Sequence, residues 1–190
     1  MATWQTVSKR RVFCLDVEAR PGPWAGSDFT FRHMLSLAGA YEDDISHPLY
    51  LGPGFSPKSL EKFVTPFRSG ALIVTHNGPR YDLPFLSGTL IRLGLAPLPP
   101  LLVSDTYAHL PKRGQAFSAS LGNLAQRFDV GREKGRMTEV DWDRAYHGDA
   151  EALERLREYN VGDVMTTLAL RAKLRELGLL GPPRKWAPGA

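Results

Sequence analysis

A chain of 190 residues is long enough for one domain with a substantial core, and 43% hydrophobic with 23% charged residues is the balance of a soluble globular protein. A net charge of +4 and a pI near 9.3 suit an anionic partner without identifying one. The single Cys14 excludes an internal disulfide and a cysteine-rich zinc site, and the lack of a long apolar run or a leader-like start predicts an intracellular, cytoplasmic protein with no membrane segment.

The first predicted element is "RVFCLDVEA". With a period of two, Phe13, Leu15 and Val17 take one face and Val12, Cys14, Asp16 and Glu18 the other, so an inner strand covered on both sides delivers two carboxylates at its carboxyl end. Cys14 reads as a small buried hydrophobe. A Pro- and Gly-rich loop follows, then strands in "RHMLSLAGAYE" and "HPLYLG". Ser56 and Pro57 open a helix whose stripe is Leu60, Phe63, Val64 and Phe67. "ALIVTHN" is a strand, "LPFLSGTLIRLGL" a helix with Pro84 in its first turn, "LLVSDT" a strand, and "PKRGQAFSAS" a loop.

Ser120 and Gly131 bracket a helix carrying Leu121, Leu124, Ala125 and Phe128, and "REKGRMTEVDWDRAYHG" reads as irregular. Asp149 caps a long helix through "AEALERLREYNVGDVMTTLALRAKLREL", in which Gly162 is a candidate point for a bend. The expected architecture is one α/β domain over 8–180, a mixed five-stranded sheet flanked by helices, with a flexible tail over 181–190.

Three places carry carboxylates with suggestive neighbours. A lone D-x-E at Asp16 and Glu18 is a weak signal, strengthened by its position at a strand's carboxyl end, where open α/β sheets bind ligands. In "HNGPRYD", Asp82 falls at a strand-to-helix junction; a helix cap is the plain alternative for Asp82, a core anchor for Tyr81 and a turn residue for Asn77. In "YNVGD", Tyr159 and Asp163 lie four apart and share a helix face that Leu156 and Val164 turn inward. Gly162 there costs about 1 kcal/mol relative to Ala, which suggests a close approach of backbone to sheet or ligand. Like charges about 4 Å apart repel by roughly 4 kcal/mol at an effective dielectric of 20. Four acids gathered in one place must therefore bind cations or hold protons abnormally, and all-oxygen donors select Mg²⁺ or Mn²⁺.

The order D-x-E, N-x-x-x-(F/Y)-D, Y-x-x-x-D, here "DVE", "NGPRYD" and "YNVGD", resembles the three motifs of the DEDD 3′–5′ exonucleases, tyrosine subtype, within the ribonuclease H-like superfamily. The motifs span residues 16–163, and "SLGNLAQRF" is similar to the proofreading branch associated with DNA polymerases. The resemblance implies a ribonuclease H-like fold and two Mg²⁺ or Mn²⁺ ions. It implies that Asp16 bridges them, that Glu18 and Asp163 complete the first site, and that Asp82 holds the second largely through water. Tyr159 would position the attacking water, since a phenol near pKa 10 stays protonated at neutral pH, and Asn77 would touch substrate. Two ions about 3.5–4 Å apart would clamp the attacking and leaving oxygens at phosphorus. Ala19 stands where many members carry Thr, Tyr81 where Phe is commoner, and Glu158 where the histidine subtype has His.

Lys112, Arg113, Arg132, Lys134 and Arg136 are candidates to grip a phosphate backbone, and Trp24, Phe29 or Phe117 to stack on bases; each also reads as ordinary surface or core, and His76 reads as a satisfied polar residue rather than a ligand. The expected activity is a 3′–5′ exonuclease acting on single-stranded or frayed DNA, alone or with a separate DNA polymerase or replication protein. An exoribonuclease and a catalytically silent nucleic-acid-binding module are the alternatives.

Overall fold

The structure, a computed structural model, describes residues 10–19, 34–108, 119–131 and 136–189. In chain order its elements are β1 (Val12–Ala19), β2 (Met34–Tyr41), β3 (Asp44–Leu51), α1 (Pro57–Phe63), α2 (Thr65–Arg68), β4 (Leu72–Thr75), α3 (Asp82–Arg92), β5 (Leu101–Asp105), α4 (Leu121–Arg127), α5 (Glu139–Tyr146), α6 (Ala150–Glu176) and β6 (Arg184–Trp186). The strands form one mixed sheet in the order β3-β2-β1-β4-β5-β6. The hairpin pairs β1–β2 and β2–β3 are antiparallel, β1–β4 and β4–β5 are parallel, and β5–β6 is antiparallel.

The sheet therefore has six strands rather than the five expected. Arg184–Trp186, within the stretch read as a flexible tail, pairs with Leu101–Val103 at the outer edge of β5. Three residues with two charges carry no alternation to announce a strand.

The alternation read from β1 is realised. Phe13, Leu15 and Val17 enter a core built with Leu60, Phe63, Val64 and Phe67 of the α1–α2 segment and Leu83, Phe85, Leu86 and Leu90 of α3. Cys14, on the other face, packs with Ala38, Ala40 and Val74 against Val164 and Leu168 of α6. Burial pushes the Cys14 thiol well above its ordinary value, in keeping with an inert core residue. The single helix expected from Ser56 breaks at Val64 and restarts with Pro66 in its first turn, yet all four stripe residues stay buried.

The segment read as irregular contains α5, closed at its start by a capping box in which Thr138 and Asp141 satisfy each other's backbone N–H groups. Ala145 of α5 packs with Ala152 and Leu156 of α6. The long helix α6 begins at Asp149, whose side chain accepts from the Ala152 N–H. It is anchored by Arg171, whose side chain is 2% exposed and pairs with Glu42 in the β2–β3 turn, with Nε 3.4 Å from Ser104 Oγ on β5.

Gly162 lies inside α6 without interrupting it, and a Cβ built there meets nothing within 4 Å. Close approach to the sheet is thus not its reason. Gly162→Ala is expected to raise the unfolding free energy by up to about 1 kcal/mol, measured by urea denaturation. A loss of stability would mean that the helix needs glycine at this position after all.

Candidate functional site

Strands β1, β4 and β5 run parallel, so their carboxyl ends open on the same edge of the sheet. At that edge Asp16 and Glu18 leave β1 on the α6 face, and Asp163 descends from α6 toward them. One ligand oxygen from each of the three lies within 4.8 Å of the others. Oxygens on opposite sides of one Mg²⁺ stand about 4.2 Å apart, twice a metal–oxygen distance of about 2.1 Å. The three carboxylates thus need to draw together by only about an ångström to share one hard cation. Asp163 is 7% exposed and the other two are half-buried, which leaves the group open on one side. The donor set is all oxygen and all anionic, and could hold a hard divalent cation.

Asp82 stands apart from this trio. It is the first residue of α3, and α3 packs on the opposite face of the sheet from α6. The β1–β4 ladder ends at Cys14 and Val74, so the Val17 N–H has no strand partner there, and Asp82 Oδ1 takes it at 2.9 Å. Only 4% exposed, Asp82 has its pKa pushed well above the carboxylate range by burial, reinforced by the nearby charge of Asp16. The helix-cap alternative is therefore half right: Asp82 does satisfy backbone N–H groups, that of Val17 on β1 and its own at the start of α3.

Tyr159 lies one turn before Asp163, its ring edge-to-face on Trp142 of α5 with centroids 5.7 Å apart. The helix that sequence patterning missed is thus the one that packs against this phenol. Asn77 sits in the turn after β4 with φ 66°, a left-handed conformation that Asn tolerates better than most residues, and its carbonyl accepts from the Arg80 N–H. His76 is bonded through its ring nitrogens to Thr106 Oγ1 at 2.8 Å and the Ala119 carbonyl at 3.0 Å, the satisfied polar residue expected of it.

Two side chains that sequence reasoning passed over shape this edge. Asp105, at the end of β5, accepts from Thr75 Oγ1, from the Gly78 N–H and from the Ala108 N–H, at 2.8, 2.9 and 2.8 Å. It pins the turn that carries Asn77 and leads to Asp82. Gly78 belongs there for space as well, since a Cβ would fall 2.4 Å from Thr75 Cβ. Asn160 is fully buried on α6, and its amide meets Asp16. Its signal was present in the sequence: Leu156, Asn160, Asp163, Val164 and Thr167 make one buried stripe, with an amide where an apolar residue is the norm.

Residues 14–175 match the sequence profile of the RNase H superfamily. The chain belongs to the RNase H superfamily. A solved structure of the family B DNA polymerase from the hyperthermophilic archaeon Pyrobaculum calidifontis is similar to it in fold, with a TM-score of 0.66 and 20% identity. That similarity covers 90% of this chain but only 25% of the polymerase, so the chain spans about a quarter of that relative's length. No curated protein sequence matches it.

Proteins of the RNase H superfamily are generally nucleases. Of the basic residues singled out for backbone contact, Arg136 is exposed ahead of α5. Lys112, Arg113, Arg132 and Lys134 lie outside the described residues, as do Trp24, Phe29 and Phe117. Among the described residues no helix is long and apolar enough to cross a membrane.

Proposed function

We propose that the chain is a metal-dependent 3′–5′ exonuclease of the DEDD type, tyrosine subtype, releasing nucleoside monophosphates from single-stranded or frayed DNA 3′ ends. The observation that carries this reading is the convergence of Asp16, Glu18 and Asp163, distant in sequence, to within 4.8 Å at the open edge of the sheet. Membership of the RNase H superfamily and the likeness to a DNA polymerase support it.

In this reading Asp16, Glu18 and Asp163 would hold one Mg²⁺ or Mn²⁺ ion, and Asp16 and Asp82 would hold a second, Asp82 largely through water. Ions bound there supply Lewis-acid activation of water and neutralise charge on the phosphate oxygens. The chain's own residues do the rest by position. Tyr159, steadied by the Trp142 ring, offers its phenolic hydroxyl to orient the attacking water. Asn77 presents its side chain from a turn that Asp105 holds rigid. Lys112, Arg113 and Lys134 are proposed to grip phosphates without reading sequence. One domain over 8–180, extended by β6, carries the whole activity in the cytoplasm, alone or beside a separate DNA polymerase or replication protein.

The test is digestion of matched DNA and RNA oligonucleotides labelled at either end. The expected result is stepwise shortening of the DNA from its 3′ end, started by Mg²⁺ or Mn²⁺ and stopped by EDTA, with nucleoside monophosphates as product. Digestion of RNA with DNA spared would make the protein an exoribonuclease. Binding without digestion in either metal would make it a silent binding module.

A further inference from the structure

Asp χ2 is a broad torsion with weak intrinsic preference, so a ligating aspartate has to be held by something else. Around Asp16 the structure provides a buried relay. Asn160 Nδ2 donates to Asp16 Oδ2 at 2.6 Å and lies 3.2 Å from the backbone carbonyl of the same residue. Ser36 Oγ, from β2, donates to Asn160 Oδ1 at 2.9 Å. Both Ser36 and Asn160 are fully buried. A carboxylate accepts and never donates, so the amide must turn its NH₂ toward Asp16, which leaves its oxygen for the Ser36 hydroxyl.

We propose that Asn160 is a positioning residue for Asp16, oriented in turn by Ser36, and that it sets the affinity of the site for a divalent cation. This rests on the reading of Asp16, Glu18 and Asp163 as metal ligands. The amide occupies one lone-pair direction of Oδ2 and fixes the carboxylate plane. An oxygen of the carboxylate so held lies within 4.8 Å of ligand oxygens of Glu18 and Asp163. The amide does this without adding charge to a group that is already crowded with it. A carboxylate at this position would stand as close to Asp16 as the amide does and would repel it. Because Asn160 shares a stripe with Asp163, one helix carries both a ligand and the group that orients another ligand. The setting of α6 against β1 and β2 thereby fixes two of the three carboxylates together.

The experiment measures Mn²⁺ binding by the intact protein, free of nucleic acid, by calorimetry and by loss of the free-ion electron paramagnetic resonance signal. Thermal unfolding is followed in parallel. For Asn160→Leu we expect binding weakened about 10–100-fold, the usual range for a lost partner of a metal ligand, in a protein that remains folded at the measuring temperature. For Ser36→Ala we expect a smaller loss in the same direction, because the amide stays but is free to turn; this variant decides the question if Asn160→Leu does not fold. Wild-type affinity in folded Asn160→Leu, or in Ser36→Ala where that is the deciding variant, would overturn the proposal while leaving the metal site standing. Failure of the wild type itself to bind Mn²⁺ would overturn the metal reading, and the proposal with it.

Discussion

Asp16→Asn is expected to abolish metal-dependent digestion and, in metal-free buffer, to make the protein more stable. The residue is nearly isosteric, and the new amide oxygen still accepts from Asn160 Nδ2. What disappears is one negative charge from a group of three carboxylates within 4.8 Å, with a fourth, Asp82, whose proton affinity Asp16 already raises. Each such pair repels by a few kcal/mol at an effective dielectric of 20. Relief of that repulsion raises the melting temperature of the apo protein, while loss of a ligand lowers activity by more than the roughly 100-fold typical of outer partners. A stabilised, inactive variant marks a residue retained for function at the expense of the fold. Tyr159→Phe is the comparison. The Phe ring keeps its packing on Trp142, so the variant removes one hydroxyl and no ligand, and it should slow digestion less than Asp16→Asn. Full activity in Asp16→Asn would remove the metal assignment, and a greater loss in Tyr159→Phe would remove the positioning role.

The largest effect on stability should come from Glu42, and it should be asymmetric with that of its partner. The Arg171 side chain is 2% exposed, whereas Glu42 is 35% exposed. Glu42→Ala leaves a guanidinium sealed against the sheet with, among the described residues, only Ser104 Oγ, 3.4 Å away, in place of its counter-charge. Breaking a buried pair from the wrong side costs about 3–5 kcal/mol, and partial exposure of the glutamate puts the lower figure in view. Arg171→Met removes the buried charge itself, fills much of the same volume, and releases Glu42 to water, so it should cost far less. Urea unfolding of the two variants and of the double mutant measures this. Equal losses in both single mutants would mean that the unpaired guanidinium costs no more than its removal, and would overturn the asymmetry.

What could be read from the sequence was whatever has a short period. The two faces of β1 follow from alternation, and the α1–α2 stripe from a spacing of three and four. Two of the three acidic motifs were legible because they sit where a regular element ends or begins, and the third, inside α6, because Tyr159 and Asp163 are four apart on one helix face. What could not be read was pairing across the chain. Asn160 meets Asp16 from 144 residues away, and Arg171 meets Glu42 from 129. No window along the sequence contains both partners. Asp105 looked like the end of a strand because two of its three donors, Thr75 and Gly78, arrive from about thirty residues away, and only the Ala108 N–H is local. The helix α5 was missed for a different reason. Its residues are largely exposed, Val140 at 66%, so its apolar pattern is poor, and the Thr138–Asp141 cap was its one local mark. Asp82 shows the limit of motif reading. Its position was foreseen, but only the sheet explains why it reaches the site from the other face and stays outside the tight trio.

The short strand β6 has a protective consequence. Its pairing occupies backbone groups of Leu101–Val103 that would otherwise form a bare outer row on β5. Leu101 and Val103 are buried and β-forming, the kind of segment that recruits a neighbouring molecule when its margin is uncovered. Arg184 and Lys185 place two like charges on the new margin, which discourages stacking of one sheet on the next. Losing these few residues would therefore leave the acidic pocket untouched while turning the opposite side of the sheet into a seed for self-association.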